Sequence, residues 1–207
     1  MSELSISAEN SDELVSSTWD VVINKVTAGH PLSSEKTLCF LFAMSLFEKI
    51  GPTLVLDFEN QCYDDLEGES KYLDLLFYTD PSYKVAIEFK LPKSSSSGAS
   101  NQPQTRQAIY RDIARLNYLK SNSIRAGASY FLMAANERAY LNKGNYQNHV
   151  DLLVHHEHKV PPTNSISASG LSLAGAAFQF FWLNAVRGKD GKYFTNDAYS
   201  WLKPIKV

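Results

Sequence analysis

The amino-acid sequence predicts an α/β fold, α+β in the stricter sense, and three observations support this prediction. Two segments with apolar residues at helical spacing come first. Three segments with the short, apolar-rich pattern of β-strands follow them. A further helix then leads into an apolar segment, 129–134, that is typical of a central strand. The order is therefore helix, strand, strand, strand, helix, strand.

Each element is bounded by residues that begin or end regular structure. Ser11 is the expected cap of a first helix, and Ser33 or Ser34 is the expected cap of a second helix that Gly51-Pro52 ends. The predicted core elements are helices 11–27, 34–50 and 105–120 and strands 53–58, 71–78, 84–90 and 129–134. Beyond them we predict a helical turn at 137–141, a strand or short helix at 150–154, a strand at 178–183 and a tight turn at 189–192.

Length and composition indicate one domain spanning residues 1–207, with a hydrophobic content of 44% that is enough for a core. No apolar run approaches the roughly 18 residues of a membrane span, so no membrane partner is expected. The first residues are acidic and polar, unlike a signal peptide. Cys39 and Cys62 lack metal-type spacing, and we interpret them as reduced thiols of a cytoplasmic protein.

The charges of the chain are unevenly distributed. Residues 1–80 carry 15 acidic and 4 basic side chains, whereas residues 81–207 carry 7 acidic and 16 basic ones. This split favours a protein with one acidic side and one side that faces a polyanion. The alternative is that the two halves of the chain pair with each other in the fold.

A predicted hairpin contains the most informative residues. Strand segments 71–78 and 84–90 flank Asp80-Pro81-Ser82, which are typical turn residues. A hairpin with this turn places Asp74 directly opposite Glu88, roughly 5 Å apart at Cβ. Like charges at that distance repel each other, and a bound cation would remove the repulsion.

Because side chains alternate along a strand, Asp74, Glu88 and Lys90 share one face of this hairpin. Two carboxylates beside an ammonium group suit a divalent cation and a phosphodiester. The alternative is the ordinary polar face of a half-exposed hairpin. The opposite face is expected to be core and is wholly apolar: Leu73, Leu75, Phe77, Val85, Ile87, Phe89 and Leu91.

Asp74 and the Glu88-x-Lys90 motif on successive strands, with this order of elements, resemble the restriction-endonuclease-like PD-(D/E)xK nuclease superfamily. The resemblance covers about residues 34–135, with 11–27 and 136–207 as additions. It implies a mixed β-sheet flanked by helices and a Mg²⁺-dependent nuclease site, with Mn²⁺ as a substitute, at the edge of the sheet.

The resemblance also implies roles for individual residues. Asp74 and Glu88 would be metal ligands, with the carbonyl of Phe89 able to supply a third position. Lys90 would contact the attacking water and the scissile phosphate. Glu48 matches the acidic residue that many members place on the helix before the first strand. Leu73 stands where the signature has proline.

Some members have a Gln-x-x-x-Tyr element on the helix after the third strand. Here that frame begins with Arg106 and ends with Tyr110, so either Arg106 or the neighbouring Gln107 takes the phosphate-contacting role. Lys93 and Arg111 are expected to follow the backbone phosphates, a kind of contact that gives affinity without sequence choice.

Other polar groups are weaker candidates. In the histidine-rich segment 155–158, His156 and His158 could share a face if the segment is extended, but zinc would need a third protein ligand that the sequence does not reveal. A solvated strand end is the favoured interpretation. Asp57 and Glu59 are substitute ligands if the hairpin has another register.

These observations favour a metal-dependent endodeoxyribonuclease acting on double-stranded DNA in restriction, phage defence or repair, with a homodimer as a further expectation. One alternative is a catalytically inactive protein of the same fold that binds nucleic acid or a protein. A second alternative is an unrelated α/β domain whose acidic N-terminal half binds a protein.

Overall fold

The structure, a computed structural model, describes residues 5–63, 66, 71–93, 102–121, 126–144 and 152–207. Within these residues the helices are α1 (Ser11–Thr27), α2 (Glu35–Ile50) and α3 (Gln102–Ser121), and a 3-10 turn covers Arg138–Tyr140. The first strands are β1 (Val55–Gln61), β2 (Tyr72–Asp80), β3 (Tyr83–Lys90) and β4 (Ala128–Ala135). The later strands are β5 (His158–Val160), β6 (Ser167–Ala168), β7 (Leu171–Ser172), β8 (Phe178–Phe180), β9 (Val186–Arg187), β10 (Tyr193–Phe194), β11 (Ser200–Trp201) and β12 (Ile205–Lys206).

The central feature is a mixed six-stranded sheet in the order β1-β2-β3-β4-β11, with β12 also paired to β4. β1, β2 and β3 form an antiparallel meander, and β3 and β4 are parallel. Parallel neighbours need a long crossover connection, and the segment containing α3 provides it. The predicted α/β class and the predicted order of core elements are thus confirmed.

Local signals set the ends of the helices only in part. The Ser34 hydroxyl accepts the N–H of Thr37 at 3.1 Å, so it caps α2 as predicted. Gly51 ends α2 with φ of 87°, a left-handed conformation that favours glycine. The prediction for Ser11 is wrong: Asn10 holds the cap position, and the buried Ser11 hydroxyl lies 3.1 Å from that of Tyr83.

Both faces of the sheet are buried at its central strands, β2, β3 and β4, whereas the edge strand β1 is partly exposed. α1 and α2 cover one face, and their core includes Leu75, Phe77 and Ile87. α3 and the C-terminal region cover the other face, where Leu76 and Ala86 are buried. The face that was expected to be the polar, half-exposed side of the hairpin is therefore a second core.

The hairpin has the predicted register in its middle, where Leu75 pairs with Ile87 and Phe77 pairs with Val85. Near the turn the register shifts. A second irregularity lies at the start of β2. Leu73 packs in the core under α3, although strict alternation would place it with Leu75 under α2. The strand therefore breaks its alternation at the residue between them, Asp74.

After β4 the described chain forms three small two-stranded sheets, β5-β8, β6-β7 and β9-β10. The predicted strand at 178–183 is shorter, since β8 ends at Phe180. Of the segment 150–154, Leu152–Val154 have no regular structure and the first two residues lie outside the described part. None of the helices is both long and apolar enough to span a bilayer, among the residues that the structure covers.

Candidate functional site

Asp74 lies where β2 departs from regular pairing, and its side chain is bound to the neighbouring strand. Its Oδ2 accepts the backbone N–H of Phe89 at 2.7 Å. The thiol of Cys39, on α2, donates to the Asp74 carbonyl at 3.9 Å. Burial raises the pKa of Asp74, while the Phe89 N–H and Lys90 oppose that rise. β3 thus holds the Asp74 carboxylate, and α2 contacts the main chain of the same residue.

Glu88 is buried on the α3 side of β3, with 3% of its surface exposed. Its Oε1 accepts the Tyr63 hydroxyl at 3.2 Å and lies 3.4 Å from Nη2 of Arg115. Burial, followed by the charges of Asp74 and Asp112, raises its pKa well above the ordinary value, although Arg115 opposes the rise. The charge of Asp74 therefore acts on Glu88. The predicted direct pair of these two residues is not among the regular pairs of β2 and β3, which stop at Leu75 and Ile87.

Lys90, at the end of β3, lies between two carboxylates that come from different helices. Its Nζ is 2.9 Å from Oδ2 of Asp112 on α3 and 3.5 Å from Oε2 of Glu35 on α2. Burial alone would lower the pKa of Lys90, but these two carboxylates outweigh it and raise the pKa. The ammonium group is therefore protonated at neutral pH.

Arg115 is the second buried cation of the site. It stacks over the ring of Tyr63 at 4.1 Å, donates to the Tyr72 carbonyl, and lies 3.7 Å from Asp112. Arg111 reaches the same carboxylate of Asp112 at 3.5 Å from a half-exposed position. Arg115 thus joins α3 to the start of β2.

We call this group the carboxylate cluster. It contains four carboxylates and three cations: Glu35, Asp74, Glu88, Asp112, Lys90, Arg111 and Arg115. With every group ionised it has a formal charge of −1. A divalent cation together with one phosphodiester anion would bring this charge to zero.

The two predicted metal ligands each keep one oxygen available. In the described part of the chain, every hydrogen bond or ion pair to the Asp74 side chain goes to Oδ2, and every one to Glu88 goes to Oε1. No set of three or more His, Cys, Asp or Glu side chains in that part is arranged as a metal site. Mg²⁺ is often bound by one or two carboxylates plus substrate phosphates, and Asp74 and Glu88 fit that pattern.

A cavity of about 540 Å³ opens beside Asp74, between α2 and β1. Glu35, Phe40, Phe58 and Glu59 also line it. The cavity is on the α2 side of the sheet, whereas Glu88 is on the α3 side. Asp74, at the break in β2, therefore lies at the boundary between the cluster and an open surface.

The structure separates Glu48 from the cluster. Glu48 is exposed and forms an ion pair with Lys25 at 2.8 Å. It lies 13 residues from Glu35 along α2, which corresponds to about 20 Å. The acidic residue that α2 contributes to this site is Glu35, and the expectation for Glu48 is corrected accordingly.

The predicted nucleic-acid-binding residues have different environments. Arg106 and Tyr110 are buried, and the Tyr110 hydroxyl donates to the Leu153 carbonyl at 2.7 Å. Gln107 is exposed. Lys93 is half-buried and donates to the Leu32 carbonyl at 2.7 Å. Burial makes Arg106 and Tyr110 unsuitable for direct contact with phosphates.

The remaining sequence candidates lie apart from Glu88. Asp57 accepts the Asn60 amide at 2.5 Å. The expectation of a solvated histidine strand end is wrong for His156, which is buried and whose Nδ1 accepts the Trp182 N–H at 3.1 Å. That bond leaves its proton on Nε2 and holds the ring in the core.

Sequence reasoning missed four members of the site: Glu35, Tyr63, Asp112 and Arg115. One signal was available, since Asp112 and Arg115 are three residues apart beside the apolar stripe of α3, a spacing that brings side chains together. Nothing local marks Glu35 or Tyr63, because their contacts to Lys90 and Glu88 are long-range.

Comparisons of the chain with protein-family models, with curated proteins and with solved structures found no match.

Proposed function

We propose that the protein is a divalent-cation-dependent nuclease that hydrolyses phosphodiester bonds of DNA at the carboxylate cluster. One observation carries this proposal. Asp74 and Glu88 come from adjacent strands, each keeps an oxygen available for a cation, and Lys90 follows on the same strand as Glu88. The order of elements and the mixed sheet agree with what the superfamily resemblance implies.

The residues of the carboxylate cluster would have separate roles in this reaction. Asp74 and Glu88 would hold Mg²⁺ or Mn²⁺, whose chemistry here is polarisation of the phosphate and a lowered pKa for bound water. Lys90 is protonated, so it would offset the negative charge that develops on the phosphate rather than act as a base. Glu35 and Asp112 would hold the Lys90 ammonium in position.

A second candidate function rests on the ion pairs of Glu88 and Lys90. Arg115 and Tyr63 already bind one oxygen of Glu88, and Lys90 is held between two carboxylates. A site closed in this way suits a protein that binds nucleic acid without cutting it.

Incubation of supercoiled plasmid and labelled oligonucleotides with the purified protein and Mg²⁺ or Mn²⁺ tests both candidates. A nuclease nicks or cuts the substrate, and Glu88→Gln and Lys90→Gln each lower the rate at least about 100-fold, the effect of removing one group that stabilises transition-state charge. Asp20→Asn, an exposed carboxylate on α1, is the matched control and retains the rate.

Cleavage that survives Glu88→Gln and Lys90→Gln contradicts the assignment of the site and points to a contaminating nuclease. Binding that weakens steeply with salt, with no cleavage under either cation, favours the second candidate. Calorimetric titration of Mn²⁺ into the protein separates loss of the cation site from loss of chemistry. Glu88→Gln is expected to weaken Mn²⁺ binding, whereas Lys90→Gln is expected to retain it.

A further inference from the structure

The cavity beside Asp74 has an unusual lining for a soluble protein surface. Phe40 on α2 and Phe58 on β1 both line it, and they are 57% and 46% exposed. Two large aromatic rings left open to water in one concave site favour a planar apolar ligand that covers them. At about 540 Å³ the volume is within the range of small-molecule sites, roughly 300 to 1,000 Å³.

The polar lining is acidic. Glu35, Glu59 and Asp74 contribute carboxylates, and the cation Lys36 is paired with Glu59 at 2.9 Å. Such a lining repels phosphate groups. Carboxylates accept hydrogen bonds and cannot donate them, so a ligand that complements this lining presents N–H or O–H donors and no negative charge of its own at this point.

The cavity adjoins the proposed nuclease site, because Asp74 and Glu35 belong to both. A nucleotide whose phosphodiester contacts the cluster can therefore place another of its groups in the cavity. In a nucleic acid the planar, uncharged group with exposed N–H donors is the base.

We propose that this cavity binds one unpaired nucleobase next to the phosphodiester that is cut, so that the substrate is single-stranded or locally unpaired nucleic acid. The proposal rests on the proposed nuclease function and specifies its substrate class. The base stacks against Phe40 or Phe58, and its amino or imino groups donate to Glu35 or Glu59. A base inside an intact duplex cannot reach the cavity without leaving its stack.

The acidic lining also implies an order of preference among the bases. Guanine presents an N–H and an adjacent NH₂ on one edge, so that it donates twice to one carboxylate. Cytosine and adenine present one amino group each. Thymine presents one N–H between two carbonyl oxygens, and a carboxylate repels both of these oxygens. Guanine is therefore expected to bind best and thymine worst.

The test measures equilibrium binding of labelled DNA strands to the protein by fluorescence anisotropy. Ca²⁺ replaces Mg²⁺ in this measurement so that the strands bind without being cut. The probes are labelled thymine strands with one central guanine, cytosine, adenine or thymine, and the guanine strand annealed to its complement. The variants are Phe40→Ala and Phe58→Ala. The matched control is Phe47→Ala, because Phe47 is 42% exposed on α2 and does not line the cavity.

Loss of one base–aromatic stack predicts about 5-fold to 150-fold weaker binding of the guanine strand to Phe40→Ala or Phe58→Ala. Phe47→Ala is expected to bind as the wild type does, and the duplex is expected to bind more weakly than the single strand. All three replaced side chains are exposed, so circular dichroism is expected to show each variant folded.

Equal affinity for all strands and for every variant overturns the proposal that the cavity binds a base. It does not affect the proposed nuclease function, which the cleavage assay tests separately. A change of oligomeric state on gel filtration in Phe40→Ala or Phe58→Ala, with unchanged DNA affinity, also overturns base binding and assigns this surface to a protein contact. Guanine-selective binding without cleavage under any cation retains the pocket and refutes the nuclease.

Discussion

The side chain of Asp74 accepts a hydrogen bond from the backbone N–H of Phe89 at 2.7 Å, across the two strands of the hairpin. A side-chain oxygen thus satisfies a donor of β3 that a strand carbonyl would ordinarily satisfy. The regular pairs recorded between β2 and β3 extend from the turn to Leu75–Ile87 and stop just before Asp74. This bond accompanies the break in the alternation of β2 at Asp74, and it fixes the carboxylate beside the cluster.

Asp74→Asn is expected to stabilise the cation-free protein and to abolish stabilisation by Mg²⁺. The amide has nearly the same shape, its oxygen still accepts the Phe89 N–H, and it removes one negative charge from a crowded site. We expect a gain of about 1 kcal/mol at pH near 8, equivalent to about 2–4 °C in Tm for a chain of this size. Thermal unfolding with and without Mg²⁺ measures both effects.

Asp20→Asn is the control for that measurement, since it removes an exposed carboxylate from α1. It is expected to keep whatever stabilisation Mg²⁺ gives the wild type through binding to the folded state. A lower Tm for cation-free Asp74→Asn, with Mg²⁺ still stabilising it, would contradict the assignment of Asp74 as a ligand.

The raised pKa values of Glu88 and Asp74 predict a dependence of stability on pH. Above their ordinary pKa values of 4.5 and 3.8, the folded protein holds these protons more tightly than the unfolded chain does. Their contribution to the free energy of unfolding therefore decreases as the pH rises from these ordinary pKa values towards the raised pKa values of the folded protein. A cation competes with the same protons, so stabilisation by Mg²⁺ is expected to grow over the same range.

Two histidines make the opposite contribution, because burial lowers the pKa of His156 and lowers that of His158 to about 4. The measurement is therefore the difference in urea unfolding free energy between the wild type and the Asp74→Asn/Glu88→Gln double variant, without cation, at about pH 5 and about pH 8. In that difference the histidine contributions cancel. A wild type that gains stability relative to the double variant as pH rises would refute the prediction.

Arg115→Leu is expected to destabilise the fold by about 3 kcal/mol, because it leaves the buried carboxylates of Glu88 and Asp112 without this cation. Adding Glu88→Gln to Arg115→Leu is expected to restore part of that loss. Urea unfolding of the two single variants and the double variant gives the coupling energy, for which about 0.5–3 kcal/mol is typical of residues in one network.

The control for this cycle is the exposed pair of Lys25 and Glu48. Lys25→Leu is expected to cost less than about 1 kcal/mol, since surface ion pairs contribute little. Equal losses from Arg115→Leu and Lys25→Leu would show that the buried network does not hold the site together.

Lys93→Ala and Tyr110→Phe separate contact with DNA from support of the fold. Lys93 is half-buried and follows the end of β3 by three residues, which places it near the carboxylate cluster. Its removal is therefore expected to reduce the salt dependence of DNA binding by about one phosphate contact. Tyr110→Phe loses its bond to the Leu153 carbonyl and is expected to cost about 1 kcal/mol of stability, with an unchanged salt dependence. An unchanged salt dependence in Lys93→Ala together with a reduced one in Tyr110→Phe would contradict this assignment.

The sequence predicted those features that depend on residues close together in the chain. The alternation of Leu75, Phe77, Val85 and Ile87 sets the middle of the hairpin register, since a one-residue slip would turn all of them away from α1 and α2. Helical spacing and the signals Ser34 and Gly51-Pro52 located α2 almost to the residue.

The errors concern burial and long-range neighbours. Arg106 was predicted to contact phosphates, but α3 turns it into the core beside the sheet. Glu48 was selected because α2 precedes the first strand. Which of its acidic residues, Glu35 or Glu48, lies at the site depends on how α2 crosses the sheet, and no local pattern encodes that crossing.

By itself the sequence determined the order of the strands and helices and the proximity of Asp74, Glu88 and Lys90, because periodicity and turn chemistry act over a few residues. Only the tertiary structure decided that Glu88 is buried against Arg115, that Lys90 lies between Glu35 and Asp112, and that an aromatic cavity opens beside Asp74. The physical reason is that charge pairing and cavity shape arise from the packing of α2 and α3 on opposite faces of the sheet, which joins residues far apart in the chain.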